Sequence, residues 1–394
     1  MRRYSASDEE RIRAAVRARE WKRSGLLDER QLATIESELQ TDLRRTKRSL
    51  RVVLFIFGTV VVWAGIGFYL AVFGVSRTES VARLVVMAGI AWLLLADYLV
   101  AKFRLYRFGV EEAFASWSAV MVAVAVGVLV SLGPAPRGEF PMLAGLLTGT
   151  VAFVAVYMRF GYLYAALGAV VAAGLVPFNL GASRAVERLL SSCVLLAIFV
   201  LARSHRRAYG EDFPGDDYGT IESAAWLGVY IVLNLRLSSD LFFSEAFRPA
   251  FPTVFYWGTY VATWLLPAAG LCLGLRSKHR EFIGANLLMA IATLVTNKPY
   301  LGLKRHTWDP VLLGVLLTGT AIAIRYWLSR GRDGLRHGFT ATRLLTSDRE
   351  LLDALSSMGA TVQPFEARVR HAETPPFEPG RGGRSGGGGG GADF

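Results

Sequence analysis

Polar and apolar positions are sorted along this chain in whole segments. Residues 1–51 are charged throughout, ten mostly apolar runs follow, and a polar stretch closes the chain after residue 328. The runs cover residues 52–73, 84–101, 114–132, 140–158, 160–179, 188–203, 221–237, 252–275, 282–297 and 310–328. A helix of about 20 apolar residues spans the roughly 30 Å hydrocarbon core of a bilayer. Backbone amides in lipid must be satisfied within their own segment, which favours helices. The pattern therefore predicts an all-α fold, a polytopic integral membrane helical bundle of about ten transmembrane helices in the lipid bilayer.

Basic residues supply the orientation. With both ends in the cytoplasm, 33 Lys and Arg fall inside and 10 outside, and Arg325 lies within a run. Basic residues resist translocation, so this split predicts cytoplasmic amino and carboxyl ends. Trp308 and Trp327, at the two ends of the last run, suit interfacial anchoring. The charged first 51 residues read as no cleavable signal peptide, with the first apolar run as a retained signal anchor. Four regions follow: a cytoplasmic helical hairpin with a basic juxtamembrane segment (1–51), a transmembrane domain (52–328), a short cytoplasmic segment with one helix (329–373) and a disordered Gly-rich tail (374–394).

Within the first region, Ser7 and Glu10 have capping-box spacing, the helix runs to about Arg23, and Gly25 stops it. Asp28 is placed to cap a second helix. Leu32, Ile35, Leu39 and Leu43 share one face of it, to be buried against the first helix, the membrane surface or a cytoplasmic protein partner. Arg44, Arg45, Lys47, Arg48 and Arg51 abut the bilayer, where each gains about 1 kcal/mol from anionic lipid. Near the other end, Ser347 and Glu350 repeat the capping spacing ahead of residues 351–358 and a stop at Gly359. The glycine-rich end has no apolar face to bury and should stay flexible.

Composition narrows the class. Of 394 residues 53% are hydrophobic and 19% charged, which excludes a collagen-like or wholly disordered chain. Two cysteines build no disulfide framework. Cys193 and Cys272 lie inside apolar runs and read as small buried hydrophobes. The net charge of +12 would raise nucleic acid in a soluble protein, but here its placement serves topology, and no nucleic acid is expected.

The first four runs and the last four share spacings. Trp63 precedes Gly65 by two and Trp226 precedes Gly228 by two; Trp92 opens WLLLA twelve before Arg104, and Trp264 opens WLLPA twelve before Arg276. Glu112 lies 29 before Pro141 and Glu281 lies 29 before Pro310, and LLTGT follows at 146–150 and at 316–320. The offset of six runs, an even number, preserves orientation, so a duplication would relate the copies by an axis along the membrane normal.

Ionisable and polar groups within the runs are the candidate sites, because they are costly there. Asp97 and Arg325 lie at matching depths near inner ends, which predicts that they pair or that each snorkels to the interface. Asn286, Thr293 and Asn297 fall on one helical face as a polar stripe that suits a solute path or interhelical hydrogen bonds. Pro267 implies a kink, and Gly145 with Gly149 implies close helix packing. Histidines 205, 279, 306, 337 and 371 fall in loops or tails without metal-ligand spacing. The Gly181, Ala182, Ser183 turn is followed by Arg184, and no later run supplies a histidine base, which argues against a serine nucleophile. No catalytic, cofactor-binding or metal residue emerges.

The segment REWKRSGLLDERQLATIESEL at 19–39, a helix, a Gly-Leu-Leu turn and a helix leading into the first run, resembles the start of a family of uncharacterised bacterial predicted membrane proteins. The resemblance covers about the first 75 residues in detail and implies a bacterial inner-membrane location, with no catalytic residue to carry over. The expected function is that of a non-enzymatic membrane protein with partner-binding or regulatory cytoplasmic ends; the alternative is a small-solute transporter built from two parallel repeats.

Overall fold

The computed structural model describes residues 3–23, 25–74, 76–133, 138–209, 217–242, 251–277, 279–303, 308–330, 335–336 and 339–340. The helix expected over 351–358 and the Gly-rich tail lie outside the described residues.

The chain opens with a hairpin of α1 (Ala6–Arg23) and α2 (Glu29–Glu38). Ser5, not Ser7, caps α1: its hydroxyl accepts the Asp8 N–H at 3.1 Å, because Ser7 already lies inside the first turn. Gly25 ends α1 at φ 77°, donating to the Lys22 carbonyl, while Leu26 donates to that of Trp21. Asp28 caps α2 as expected, accepting the Gln31 N–H at 2.7 Å while the Gln31 side chain accepts the Asp28 N–H at 2.9 Å. Lys22 to Glu29 and Arg19 to Glu36 link the two helices. Even so, α2 buries no residue fully, and Leu32, Ile35, Leu39 and Leu43 are half-buried.

The bundle follows as α3 (Arg48–Phe73), α4 (Thr78–Phe103), α5 (Val110–Leu132), α6 (Phe140–Phe160), α7 (Leu163–Leu175) with a 3-10 turn to Asn179, and α8 (Arg184–Tyr209). Then come α9 (Asp217–Leu233), α10 (Leu235–Phe242), α11 (Thr253–Ser277), α12 (Arg280–Tyr300) and α13 (Asp309–Ser329), and a two-residue hairpin of β1 (Leu335–Arg336) and β2 (Phe339–Thr340). Every predicted apolar run overlaps a helix. Among the described residues six helices, α3, α4, α5, α6, α8 and α11, are long and apolar enough to cross a membrane, and α7 and α9 are shorter apolar helices. Their outer faces expose Val52, Phe57, Leu94, Val151, Leu201 and Leu265, an apolar surface suited to lipid. The chain is thus a multi-pass membrane protein.

Two cores organise the helices. In the first, α5 packs on α3, α4 and α6, and Val62, Ala96, Phe114, Ala119 and Val156 are buried. A Cβ on Gly145 would stand 3.1 Å from the Ala123 carbonyl, so α5 and α6 approach as closely as the small-residue spacing predicted. In the second, α7, α8, α9 and α12 enclose Leu195, Phe199, Trp226, Tyr230, Phe282 and Met289. α11 lies against α12 and continues through a buried Pro267. Cys193 and Cys272 are both exposed, which corrects their expected burial: an apolar run has a lipid face as well as a core face, and both thiols lie on the former.

Candidate functional site

Polar side chains concentrate in two places, a collar at the hairpin end of the first core and a seam running through the second.

The collar is built by a tight link. α4 ends on Arg104 in the left-handed region (φ 51°), and Arg107 (φ 49°) and Gly109 (φ 118°) turn the chain into α5. The segment after α2 binds this link as a short parallel bridge: Arg44 N–H donates to the Arg104 carbonyl at 2.9 Å, and Tyr106 N–H to that of Arg44 at 3.0 Å. The amino terminus docks beside it. Arg3 N–H donates to the Arg159 carbonyl at 3.0 Å, the Tyr4 ring meets Tyr106 edge-on at 4.8 Å, and the Tyr4 and Tyr162 hydroxyls lie 3.5 Å apart. Burial pushes the Tyr4 hydroxyl well above the usual phenol range, against the opposing effect of its bond to Tyr162.

Asp97 belongs to this collar. Its carboxylate pairs with Arg159 at 2.8 Å and with Arg3 at 3.7 Å. The expected partner Arg325 is corrected for Asp97: its cations are Arg159 and Arg3, and it stays 28% exposed. Equal depth in two helices does not make them neighbours, and the last turn of α6 carries Arg159 to α4. Arg325 stands exposed on α13. Arg51 turns inward, donating to Glu112 from Nε at 2.8 Å and Nη2 at 2.6 Å, whereas Arg44, Arg45 and Lys47 are exposed. Beside Glu112, Glu111 is 0% exposed; one oxygen accepts the Phe108 N–H at 2.6 Å, and the other has no hydrogen-bond partner among the described residues.

The seam holds the predicted stripe. Asn286 (0% exposed) accepts the Trp226 indole N–H at 3.0 Å and donates to the Phe282 carbonyl at 2.7 Å. Gly270 of α11 faces Asn286 so closely that a Cβ there would collide with its amide. Thr293 (2% exposed) meets the Tyr230 hydroxyl at 2.9 Å and donates to the Thr263 carbonyl at 2.7 Å. Asn297 is half-buried and accepts the Tyr260 hydroxyl at 2.8 Å. The stripe therefore faces both α9 and α11 at Asn286 and Thr293, and α11 at Asn297.

At its far end the seam repairs a broken helix. α9 stops at Leu233 and α10 starts at Leu235, with Asn234 between. The Asn234 amide donates to Tyr230 at 2.9 Å and Thr296 at 3.1 Å and accepts the Leu237 N–H at 3.0 Å. Tyr300 accepts the Leu235 N–H at 2.8 Å, and Arg188 donates to the Val232 carbonyl at 2.6 Å and to Ser238 at 2.8 Å. Irregular backbone at membrane depth is tolerated where protein satisfies it, as here.

At the hairpin end of α8 and α9, Glu222 pairs with Arg203 and Arg206. His279 caps α12, its Nδ1 accepting the Phe282 N–H at 3.1 Å. His205 lies inside α8 against Tyr218, not in a loop, because α8 runs on to Tyr209; His306, His337 and His371 lie outside the described residues. Among the described residues no group of three or more His, Cys, Asp and Glu is arranged to hold a metal. Two apolar grooves, about 540 Å³ at Ile198, Leu201, His205 and Tyr218 and about 310 Å³ at Trp63, Ile66, Val85 and Val124, include no seam residue.

Sequence reasoning missed Tyr230, Asn234, Tyr300, Arg188, Arg159 and Glu111 as members of these clusters. Tyr230 and Asn234 carry a signal, since their spacing of four places them on one helical face. No family model, no curated protein and no solved structure matches this chain.

Proposed function

We propose that the chain is a non-enzymatic bacterial inner-membrane protein of about ten spans, with both ends cytoplasmic, whose hairpin engages a cytoplasmic protein while the bundle serves as its mount. The observation that carries this reading is the commitment of the seam. Asn286 and Thr293, the best sequence candidates for lining a path, are buried and hydrogen-bonded to neighbouring helices. Interhelical bonds of this kind are glue, worth about 0.6 kcal/mol each on average. The hairpin supports the second half of the reading, because α1 is held by the collar while α2 keeps its surface open. Anionic lipid at Arg44, Arg45, Lys47 and Arg48 completes the arrangement, with Arg51 already engaged by Glu112.

Small-solute transport is the second reading, favoured by the broken helix at Asn234, a device that transporters use at substrate sites. The parallel duplication also supports it. Trp117 follows Glu112 by five and Asn286 follows Glu281 by five, so the contacts Trp63 to Trp117 (5.1 Å between rings) and Trp226 to Asn286 (3.0 Å) join matched positions in the two copies.

Thiol accessibility separates the readings. Single cysteines at 286, 293 and 297, with Cys193 and Cys272 replaced by Ser, are exposed to a membrane-impermeant thiol reagent. The first reading expects labelling at 297 alone. Labelling at 286 and 293 would overturn it in favour of a water-filled path.

A further inference from the structure

We propose that Glu111 is a proton-binding site that governs whether residues 3–9 stay docked on the bundle. The site is independent of any partner or solute. Glu111 is fully buried at the start of α5, one oxygen is bound to the Phe108 N–H, and the second has no hydrogen-bond partner among the described residues. The groups that interact with it electrostatically are Glu112 from α5, Arg51 from α3, Tyr4 from the amino terminus, and Tyr162 and Tyr164 from the start of α7; Glu9, in the docking segment itself, is a further buried acid at this end. Arg107, from the link before α5, acts on neighbouring Glu112. Arg51 is the one cation acting on Glu111 in this group, and it is spent on Glu112 through two hydrogen bonds.

A carboxylate in that position would be a buried charge with one hydrogen bond and a second carboxylate beside it, an arrangement proteins avoid by holding the acid neutral. The neutral acid carries its proton on the second oxygen and so places no charge in the buried site. Tyr4 is part of the cover: it is buried, stacks edge-on against Tyr106 and meets the Tyr162 hydroxyl. Ionisation sends the Oε2–H proton to solvent and leaves a carboxylate that needs water, and lifting Tyr4 admits water. Docking and the proton therefore favour each other. Docking is strongest at low pH, weakens once the pH passes the ordinary carboxyl range, and is weakest when the docked acid too has ionised.

Spin labels at positions 10 and 102, both exposed, on the detergent-solubilised full chain with Cys193→Ser and Cys272→Ser, report docking as a short-distance population. Between about pH 5.5 and about pH 8.5 this population is expected to fall about threefold or more, and Glu111→Gln is expected to hold it at its low-pH value throughout. The Gln arm separates Glu111 from the other acids at this end. A pH-independent population in the parent, or a Glu111→Gln chain that follows the parent's fall, overturns the proposal. Should Glu111→Gln not accumulate, Tyr4→Ala removes the cover and leaves the acid: a low population at every pH supports the proposal, and persistence of the parent's pH response overturns it.

Discussion

Around α5 the polar side chains gather at one end of the helices and carry charge; along α12 they run from Asn286 to Tyr300, about 21 Å of helix, and are neutral. The collar pairs Arg51 with Glu112 and Arg159 with Asp97, where Asp97 keeps access to solvent at 28% exposure. Apart from Arg188 at its far end, the seam uses amides, hydroxyls and an indole, which pair without a net charge to desolvate. Depth explains the difference. An ion pair near the interface retains part of its hydration, whereas deep in the bundle both partners would lose it. Two tryptophans make the contrast local: Trp63 meets another ring on α5, and Trp226 donates to Asn286 on α12.

The strongest way to break the charged side is Arg51→Ala. It strands Glu112 in a buried position and should cost about 3 kcal/mol, measured as reversible unfolding in detergent, with Glu112→Gln restoring part of the loss. The neutral side should break less severely with Gly270→Ala, at about 2 kcal/mol, because the new methyl displaces the Asn286 amide. Adding Asn286→Ala should relieve that collision, so the double variant is more stable than additivity predicts. The smallest effect tests whether the hairpin is energetically separate from both. Asp28→Ala should cost about 1 kcal/mol of α2 stability, seen as faster amide exchange over residues 29–38 with no change in α5 or α12.

The sequence made legible what short-range physics decides. The apolar runs locate the helices, Asp28 and Gly25 sit at their predicted caps, and the spacing of Asn286 and Thr293 put them on one face before any partner was known. The partners were not legible. Asp97 and Arg159 are 62 residues apart, and nothing in either helix announces that α6 ends beside α4. Glu111 lies in the first turn of a helix, where an acid ordinarily complements the helix dipole in water; its burial follows from Tyr4 and the 104–109 link closing over it. The break at Asn234 is hidden in an apolar run because most of the groups that heal it come from α12 and α8, with Tyr230 alone from α9.

That healed break sets a schedule for synthesis. Leu235 leaves the ribosome 65 residues ahead of Tyr300, the hydroxyl that completes its backbone. At about 5 to 20 residues per second, the gap lasts on the order of three to thirteen seconds. Throughout that interval the Leu235 amide lacks its final partner, and the Asn234 side chain has only Tyr230 of its final contacts outside its own segment's turn. Whatever inserts this chain into the bilayer must shelter α9 until α12 arrives, and a ribosome that pauses between them leaves a polar lesion for membrane proteases to find.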